Sequence, residues 1–512
     1  MPVCPSCGKT FSGISIGSEV ADVCKDCRKS RRAALEARVR AAGSPAQIAL
    51  FDKPVVTYTI LAINLAVYAA MGISGVSWGE PSTLDAIRWG ADFGPLTLSH
   101  EWWRMVSSTF VHFGLFHVAL NMICFWDLGR GLEPLMGRRA FLLSYAVSGL
   151  AASIVSLYWG PWRVSAGASG AIFGIAGAFV SYLYFRKAQI NQDWLKKRLR
   201  SLVVFIGYNL LWGLRPGVDN SAHIGGLIAG LLLGLMIPPR FVIPQAAGAG
   251  ALPAAGAMPS PLEAEAQMNE HRQRLVWIGV ISVIALAAGF AQLRVSHEGT
   301  VAYGDAVLLA KSGRMAEAIS RMEAAAELGS TMSLADDWLG EAKLGAGDGS
   351  GAVPHFQKTL EAYPEDFDAS FNLGLAYLSS GNADAALTQV EKMGDIPKER
   401  ASMDLIAGVA ALRLNDLTTA KMFLPYAAQN NQKLWEAQAA LAQLCVEEGK
   451  ADEARGIYAK ILKSEPDNAV AKANLEILNG EKKGSPAAKD LKPFDLPYAK
   501  LVLKSEAWPY YP

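Results

Sequence analysis

The chain has 512 residues, of which 51% are hydrophobic, and its formal net charge is +1. A chain of this length suits about two to four domains. Its mean hydropathy of +0.19 is high for a soluble protein, so part of the chain is expected in a lipid bilayer. The near-neutral charge gives no electrostatic reason to expect nucleic acid as a partner.

Segment 1–30 contains two CxxC pairs, formed by Cys4, Cys7, Cys24 and Cys27. Four thiolates in this spacing can surround one zinc ion, and so short a unit has too little apolar sequence to fold without the metal. Because four protein ligands leave no open position, the zinc ribbon is expected to be structural. The alternatives are a redox CxxC, which would need a thioredoxin-like context, and unrelated cysteines, which would not share this spacing.

Residues 31–53 form a basic segment before the first apolar run, and no short apolar core with a cleavage site precedes them. The first hydrophobic helix is therefore expected to be an uncleaved signal anchor. A Lys/Arg-rich flank marks the cytoplasmic side of a first membrane helix, where thiols stay reduced and available to zinc. The cations from the second CxxC pair onward are Arg28, Lys29, Arg31, Arg32, Arg38, Arg40 and Lys53.

Seven apolar stretches are long enough, or nearly so, to cross about 30 Å of hydrocarbon. They lie at 54–73, 113–135, 140–159, 169–185, 200–214, 222–237 and 275–293. The first six make up a core at 54–240, and the seventh follows a flexible linker at 241–274 that is rich in Ala, Gly and Pro at its start.

Lys and Arg cluster in alternate connections between these stretches, as the positive-inside rule requires. The N-terminus is therefore expected in the cytoplasm and everything after residue 293 outside, with a bacterial inner (plasma) membrane as the expected location. The cations assigned to the inside are Arg130, Arg138, Arg139, Arg186, Lys187, Lys196, Lys197, Arg198, Arg200, Arg240, Arg272 and Arg274.

Region 299–480 is repetitive, with a period of about 34 residues, the length typical of one class of helical repeat. The small residues in phase are Ala306, Gly340, Gly374, Gly408 and Ala442, then Ala318, Ala352, Ala386, Ala420 and Ala454, with turns at Gly313, Gly347, Gly381, Asn415 and Gly449. This pattern resembles the tetratricopeptide repeat, which implies an α-solenoid that binds a peptide or protein partner in a concave groove. A non-repetitive, alanine-rich helical domain is the alternative, but it does not explain five alanines in phase. For the tail at 481–512 only packing or disorder is predicted.

Two polar residues in separate spans are expected at one depth in the bilayer. Ser169 precedes the inside residue Arg186 by the same number of positions as His223 precedes Arg240. At 1.5 Å per residue both side chains are about 25 Å from the inner face. Glycine stripes on both helices would let the backbones pack closely and bring the two side chains together. The stripes are Gly170, Gly174 and Gly177 on one helix and Gly226, Gly230 and Gly234 on the other.

A serine hydroxyl becomes a nucleophile when a base takes its proton, and imidazole suits that role at neutral pH. Ser169 stands at the start of its helix, where free backbone N–H groups could stabilise an oxyanion, and Asn121 and His117 could add side-chain donors. Since no carboxylate shares this depth, the pattern predicts a Ser169/His223 dyad.

These residues form part of a set of motifs: GxSG at Gly167–Gly170, HxxxN at His117–Asn121, AHxGG at Ala222–Gly226 followed by Gly230, the pair Trp103-Arg104, and GxxxExxxG at Gly129, Glu133 and Gly137. The set resembles the motifs of the rhomboid family of intramembrane serine proteases. The resemblance implies a six-helix core, hydrolysis of peptide bonds in or near transmembrane segments, a Ser169/His223 dyad without a catalytic cofactor, and an oxyanion site made of the Ser169 N–H, Asn121 and His117.

Three further positions complete this interpretation. Phe173 stands where many rhomboids have tyrosine, and its ring is expected to stack on His223. Glu133 is expected to bond backbone in the adjoining loop, and His112 is expected to have a structural or water-binding role. The whole is predicted to be an all-α polytopic membrane protein with transmembrane proteins as substrates. The alternative function is a non-proteolytic, rhomboid-like scaffold that binds membrane helices.

Overall fold

The structure is a computed structural model in which the chain forms two compact units, Met1–Gly304 and Asp305–Pro512. The described residues are 10, 26–27, 30, 53–185, 192–215, 217–238, 261–329, 333–394, 400–430, 434–480 and 490–503. Cys4, Cys7 and Cys24 lie outside them, so the zinc ribbon stays a prediction. Within the described ranges no group of His, Cys, Asp or Glu could hold a metal ion.

Helices account for the regular structure described in the first unit. They are α1 (Val55–Ile73), α2 (Thr83–Arg88), α3 (Gly94–Thr97), α4 (Arg104–Ser107), α5 (Leu115–Met136), α6 (Arg138–Trp159), α7 (Ser169–Tyr184), α8 (Gln192–Trp212), α9 (Asn220–Met236) and α10 (Pro261–Ser296), with a short 3-10 turn at Ser108–Phe110. Each of the seven predicted spans therefore falls on a helix.

Not all of these helices are long and apolar enough to cross a membrane by themselves. Among the described residues α1, α6 and the Glu265–Ser296 part of α10 meet that criterion. A fourth span results if Arg104–Phe110 and Leu115–Met136, which are bent by 94°, count as one. Helices α7 and α9 are apolar but shorter. They are also the two helices that carry Ser169 and His223.

Helix α8 begins at Gln192, eight residues before the predicted start of its apolar span at 200. The prediction left out the basic run because charge is costly in lipid, but the helix continues through it. Arg198 is buried, with its guanidinium 2.9 Å from an Asp127 carboxylate oxygen and 4.8 Å from the centre of the Phe179 ring. An ion pair with a neighbouring helix thus allows this cation to face the protein interior.

Helix α10 also starts earlier than predicted, at Pro261 and not at 275. Residues 262–274 contain neither Gly nor Pro and are rich in Ala, Glu, Gln and Arg, which favour helix. Pro261 itself suits the first turn, where its missing N–H costs no hydrogen bond. Of the predicted linker, 261–274 is helical, and 241–260 lies outside the described residues.

Helices α6, α7 and α9 pack through small residues. A methyl group added at Gly226 would overlap the carbonyl oxygen of Gly170, and one added at Gly230 would overlap that of Gly174. On the other face of α7, a methyl group at Gly170 would lie 2.5 Å from Cβ of Ala152 in α6. Because lipid offers no hydrophobic drive for helix association, such close backbone contact supplies much of the packing energy.

The second region is a solenoid of helix pairs. Its helices are α11 (Glu298–Lys311), α12 (Met315–Glu327), α13 (Ser333–Gly345), α14 (Gly349–Ala362), α15 (Phe367–Ser379), α16 (Ala383–Met393), α17 (Arg400–Arg413), α18 (Leu417–Asn430), α19 (Trp435–Glu447), α20 (Ala451–Ser464) and α21 (Ala469–Gly480). Each odd-numbered helix except α21 is followed by a partner after a short turn, which gives the helix–turn–helix units that the repeat period predicts.

The turn positions of the period share one backbone conformation. Gly313, Gly347, Gly381 and Gly449 have φ between 76° and 86°, and Asn415 has φ of 57°. Asn415 is the one non-glycine residue with positive φ in the described ranges. Asparagine tolerates the left-handed region better than most residues, so it can replace glycine there.

The alanines in phase fill the contact within each pair. Ala318, Ala352, Ala386, Ala420 and Ala454 are all fully buried. A second in-phase set in the second helix of each pair, four residues further on, is large and buried: Met322, Phe356, Val390, Leu424 and Tyr458. Three of these side chains lie over a glycine of the preceding helix, at Gly340, Gly374 and Gly408. In these repeats, large side chains of the second helix therefore pack into the space left by glycines of the first helix.

Part of the tail packs on the solenoid. Segment 490–503 contains one short helix, α22 (Tyr498–Leu501), and buries Leu491, Leu496, Leu501 and Val502 in the solenoid core clusters. The predicted tail 481–512 is thus ordered in this part, while 481–489 and 504–512 lie outside the described residues.

Candidate active site

The segment before Ser169 is fixed by hydrogen bonds to the loops that precede α5. Ser165 exchanges two backbone hydrogen bonds of 2.9 Å with Asp92, and the Gly167 N–H donates to the Ser108 carbonyl at 2.9 Å. The Ala168 N–H points at Nε2 of the buried His112 at 3.5 Å. These bonds hold the chain just before Ser169, and the contact with Ala168 gives His112 the structural one of the two roles that the sequence left open.

Gly167 must be glycine for two reasons. Its φ is +119°, a conformation that side chains disfavour, and a methyl group there would lie 2.8 Å from Cε1 and Nε2 of His117. The absence of a side chain lets the imidazole of His117 approach the turn at which α7 begins. Ser169 is the first residue of α7, so its N–H has no intrahelical partner.

Ser169 and His223 meet across the contact between α7 and α9. Their side chains approach to 2.9 Å, between Oγ of Ser169 and Nε2 of His223. The Phe173 ring stacks on the imidazole, with ring centres 4.3 Å apart and planes 7° from parallel. The stacking expected of Phe173 is therefore present in the structure. It fixes the plane of the imidazole in which Nε2 points at the serine.

The second imidazole nitrogen, Nδ1 of His223, is buried and has no hydrogen-bond partner among the described residues. The nearest acidic side chain in sequence, Asp219, is the N-cap of α9 and accepts from the Ala222 N–H at 3.1 Å. Hydroxyl groups of Ser165 and Ser221 donate to the same carboxylate, each at 2.6 Å, and Ser156 also donates to it. The carboxylate thus anchors the start of the histidine helix and does not bond the imidazole.

The pKa of Asp219 reflects this setting. Burial alone would raise it, but the hydroxyl donors Ser156, Ser165 and Ser221 and the Ala222 N–H outweigh that effect, so the net pKa lies below the ordinary value. The carboxylate consequently stays charged at neutral pH, where it can cap the helix.

His117 and Asn121 lie on one face of α5, near the start of α7. The Phe113 N–H donates to Nδ1 of His117 at 3.3 Å, which in a neutral ring leaves the hydrogen on Nε2, the atom that faces Gly167. The Asn121 amide donates one hydrogen to the His117 carbonyl at 2.9 Å and keeps a second. Each side chain therefore retains one donor hydrogen.

A cavity of about 710 Å³ joins these groups. Its lining includes His117, Asn121, Ser169, His223, Asp219 and Arg163. The structure thus brings together all four residues that the sequence singled out for chemistry, in a cavity with both polar and apolar walls.

Two other predicted motifs lie away from this cavity and serve the fold. The Arg104 guanidinium is buried and donates to the carbonyl oxygens of Ile87 and Ala91 at 2.6 and 3.0 Å, while Trp103 is half exposed beside it. Arg104 thus organises the loop between α1 and α5.

Glu133 is structural, as predicted, but its partners are different from those expected. Its carboxylate accepts from the N–H groups of Val56 and Thr57 at 2.9 and 2.8 Å, in the first turn of α1 and not in the adjoining loop. A methyl group at Gly129 would overlap Thr57, which explains the first glycine of that motif. An acidic group at a helix N-terminus is stabilising there.

Asp219 is the residue that the sequence interpretation missed. An Asp four residues before a helical histidine is an ordinary N-cap signal and could have been recognised from the sequence. Its hydroxyl partners could not, because Ser156 and Ser165 lie more than fifty residues earlier in the chain.

Comparison with known protein families finds two matching domain models. The Rhomboid domain model matches residues 99–240, which include the cavity residues named above, and a tetratricopeptide repeat model matches residues 339–399. Both resemblances drawn from the sequence are thereby confirmed.

Curated relatives cover the chain to different extents. The rhomboid protease GluP of Bacillus subtilis (strain 168) is 29% identical over 336 residues, which is 64% of this chain and 58% of GluP. The rhomboid protease AarA of Providencia stuartii is 35% identical over 202 residues, 35% of this chain and 71% of AarA. RHOMBOID-like protein 4 of Arabidopsis thaliana is 33% identical over 208 residues, 39% of this chain and 48% of that protein. The chain thus spans between about half and about seven tenths of these relatives. It belongs to the rhomboid family of serine proteases.

Proposed function

We propose that this protein is an intramembrane serine endopeptidase in which Ser169 is the nucleophile and His223 the general base. The observation that carries the proposal is the 2.9 Å approach of Ser169 Oγ to His223 Nε2 at a polar cavity. A serine needs a base at hydrogen-bond distance, and this pair meets that requirement before any substrate is bound.

In the first step Nε2 of His223 takes the Ser169 proton as Oγ attacks the carbonyl carbon of the scissile bond. The protonated imidazole then gives that proton to the leaving amine, and the acyl group stays on Ser169. Water, deprotonated by Nε2, attacks the acyl carbon. The bond from that carbon to Ser169 Oγ then breaks, and Oγ takes the proton back from Nε2. Since Nδ1 bonds no carboxylate in the described residues, the base works as half of a dyad, held in plane by Phe173.

The negative oxygen of each tetrahedral intermediate needs donors close to Ser169. The Ser169 N–H at the start of α7, the Nε2–H of His117 and the second amide hydrogen of Asn121 are proposed for this role. Such preorganised donors typically contribute about 3–4 kcal/mol of transition-state stabilisation each. Gly167 allows the approach of His117 because it has no side chain.

The proposal is tested by cleavage of a model single-span protein in reconstituted membranes. Ser169→Ala and His223→Ala are each expected to reduce kcat/KM to background. Ser181→Ala is the matched control, because Ser181 lies on the same helix and its hydroxyl donates to the Gly177 carbonyl of its own helix. That variant is expected to retain activity.

Fluorophosphonate labelling separates a protease from a membrane-helix scaffold. The wild-type chain is expected to react at Ser169 and the Ser169→Ala chain to remain unlabelled. Cleavage that persists without Ser169, in a chain purified free of other proteases, would refute the assignment.

The orientation we propose puts the dyad near the exterior face of a bacterial inner membrane. Arg138 and Arg139 open α6, and the exposed Lys196 and Lys197 lie near the start of α8. Ser169 follows the opposite end of α6, away from these cations. Phosphatase and fluorescent-protein fusions after residue 480 test the exterior location of the solenoid, and a fluorescent fusion without phosphatase activity would contradict it.

Substrates are proposed to be transmembrane proteins that unwind locally at the cavity. The solenoid is proposed to bind a substrate or a partner protein through the faces of its stacked helices. Comparing membrane-protein fragments in cells with wild-type and Ser169→Ala chains would identify the substrates.

A further inference from the structure

Two buried asparagines of the solenoid bond the main chain of the tail. The Asn372 amide donates to the Leu503 carbonyl at 2.7 Å and accepts from the Leu503 N–H at 2.9 Å. Asn474 makes the same pair of bonds with Lys492, at 3.1 and 2.5 Å. Both asparagine side chains are fully buried. A side-chain amide that bonds both the backbone N–H and the backbone C=O of one residue recognises the main chain of that residue and not its side chain.

The two asparagines occupy the same position of the repeat. Asn372 and Asn474 are separated by three full periods, and they lie in α15 and α21. Their targets, Leu503 and Lys492, are joined by a stretch of chain that includes helix α22 and reaches about 29 Å, at roughly 3.3 Å per extended and 1.5 Å per helical residue. Three steps between packed first helices, at about 10 Å each, give a similar length. The tail therefore runs back along the array in register with the repeats.

Further contacts of the tail come from the first helices of the pairs. The Phe494 ring meets Trp435 of α19 edge-on, with centres 6.4 Å apart. The charge of Lys500 opposes the rise in pKa that burial causes at Glu436, also in α19. Helix α22 packs on α13. Pro493 and Pro497 favour extended backbone before them, which suits a segment laid along a groove.

We propose that the face formed by α13, α15, α19 and α21 is a binding site for a peptide that is extended apart from one helical turn, and that segment 490–503 occupies it as an intramolecular ligand. A partner segment with leucine or aromatic side chains spaced as in 490–503 binds there by displacing the tail. The inference deepens the partner-binding role proposed for the solenoid. It does not depend on the protease step, so its failure would leave the Ser169 experiments unaffected.

Segment 490–503 sets the affinity that a partner needs in order to bind the solenoid. A tethered segment has an effective concentration on the order of millimolar, so a free peptide must compete against it. The solenoid is then accessible to partners that bind tightly, or once the tail has been removed or held elsewhere.

Hydrogen exchange on the full chain in membrane nanodiscs tests the occupancy. Tail amides at Lys492 and Leu503 are expected to be protected in the wild type. Asn372→Ala is expected to lower protection of the tail about tenfold, as expected for the loss of hydrogen bonds to a buried amide. Asn430→Ala is the matched control, because Asn430 is exposed and its amide donates to the Tyr426 carbonyl of its own helix. Free exchange of the wild-type tail, or equal protection in both variants, would overturn the proposal.

A labelled peptide with the sequence of residues 490–503 tests the displacement. It is expected to bind a chain ended at Gly480 at least tenfold more tightly than the full chain, and Asn372→Ala in the shortened chain is expected to weaken binding about tenfold. Equal binding to both chains would overturn the proposal. Loss of repeat-helix protection in the shortened chain would also overturn it, because the tail would then be a fixed part of the fold and not an exchangeable ligand.

Discussion

The rhomboid core and the solenoid both depend on glycine where helices pack, but they use the missing side chain differently. In the core, Gly226 and Gly230 of α9 lie against the backbone carbonyls of Gly170 and Gly174. In the solenoid, Gly408 lies under the side chain of Leu424. Backbone cannot move aside without shifting a helix, whereas a leucine can change rotamer.

The difference follows from the surroundings of each region. Apolar side chains in lipid gain nothing by leaving it, so close backbone packing must hold α7 and α9 together. The solenoid gains about 25 cal/mol for each Å² of apolar surface buried, and large side chains supply that area. The core thereby obtains a rigid contact on which the 2.9 Å distance between Ser169 and His223 can depend.

A glycine-to-alanine substitution in each region tests this contrast, and the one in the core should have the largest effect on cleavage. Gly230→Ala is expected to separate α7 from α9 and to reduce kcat/KM at least about 100-fold, because small displacements of catalytic groups have effects of that size. Gly408→Ala is expected to destabilise α17 and α18 by about 1 kcal/mol and to leave cleavage unchanged. Cleavage assays in liposomes and hydrogen exchange of residues 400–430 measure the two outcomes.

Gly207→Ala serves as the control within the core. Gly207 is in α8, and a methyl group there would have no atom of the described residues within 4 Å. If Gly230→Ala cleaves as fast as Gly207→Ala, the backbone contact does not set the catalytic geometry.

Helix caps offer a second test, since both regions use aspartate to cap helices. Asp219 caps α9, and Asp366 caps α15 by accepting from the Ala369 N–H at 3.0 Å. Either aspartate replaced by alanine is expected to lose about 1 kcal/mol of stability. Only Asp219→Ala is expected to lower kcat as well, about tenfold, because its cap positions His223. Equal kcat in the two variants would contradict the positioning role.

The Asp219 cap also predicts a pH dependence. Because its folded pKa lies below the ordinary value, the stabilisation is fully present above the unfolded pKa of about 3.9 and is lost as pH falls through the folded pKa. The difference in unfolding free energy between wild type and Asp219→Ala is therefore expected to be constant from about pH 5 to pH 8 and to shrink below about pH 4. Denaturant titrations at several pH values measure it.

The sequence predicted the contact of Ser169 with His223 because depth in a membrane can be counted along a helix and glycine stripes mark close approach. It predicted the solenoid because small residues and turn residues recur at a fixed spacing, with Asn415 at one of the turn positions. It did not predict the burial of Arg198, whose partner Asp127 lies on a helix far earlier in the chain. Nor did it predict the tail contacts of Asn372, because a repeat period does not say which other segment packs on the array.

Buried aromatic rings give a third comparison of the core with the solenoid, in which smaller effects are expected. Phe173→Leu removes the stack on His223 and is expected to lower kcat about threefold to tenfold at unchanged KM, because such stacking contributes about 0.5–1.5 kcal/mol. Phe173→Tyr keeps the ring and should keep kcat. In the solenoid, Phe371→Leu changes a fully buried ring and is expected to lower stability by about 1 kcal/mol without affecting cleavage. Steady-state kinetics on all three variants decide whether the stack orients His223.

The smallest expected effect concerns the turns of the solenoid, where glycine acts through its backbone and not through packing. Gly381 has a φ of 85°, and a methyl group added there would meet no described residue within 4 Å, so Gly381→Ala is expected to lose about 1 kcal/mol from backbone strain alone. Asn415→Gly, at the same position of the next repeat, adopts its φ of 57° without strain and should change stability by about a few tenths of a kcal/mol at most. Hydrogen exchange of the flanking helices in the full chain measures both. If Gly381→Ala were neutral, the shared turn conformation would not be what keeps glycine at these positions, and the contrast with the membrane core would rest on packing alone.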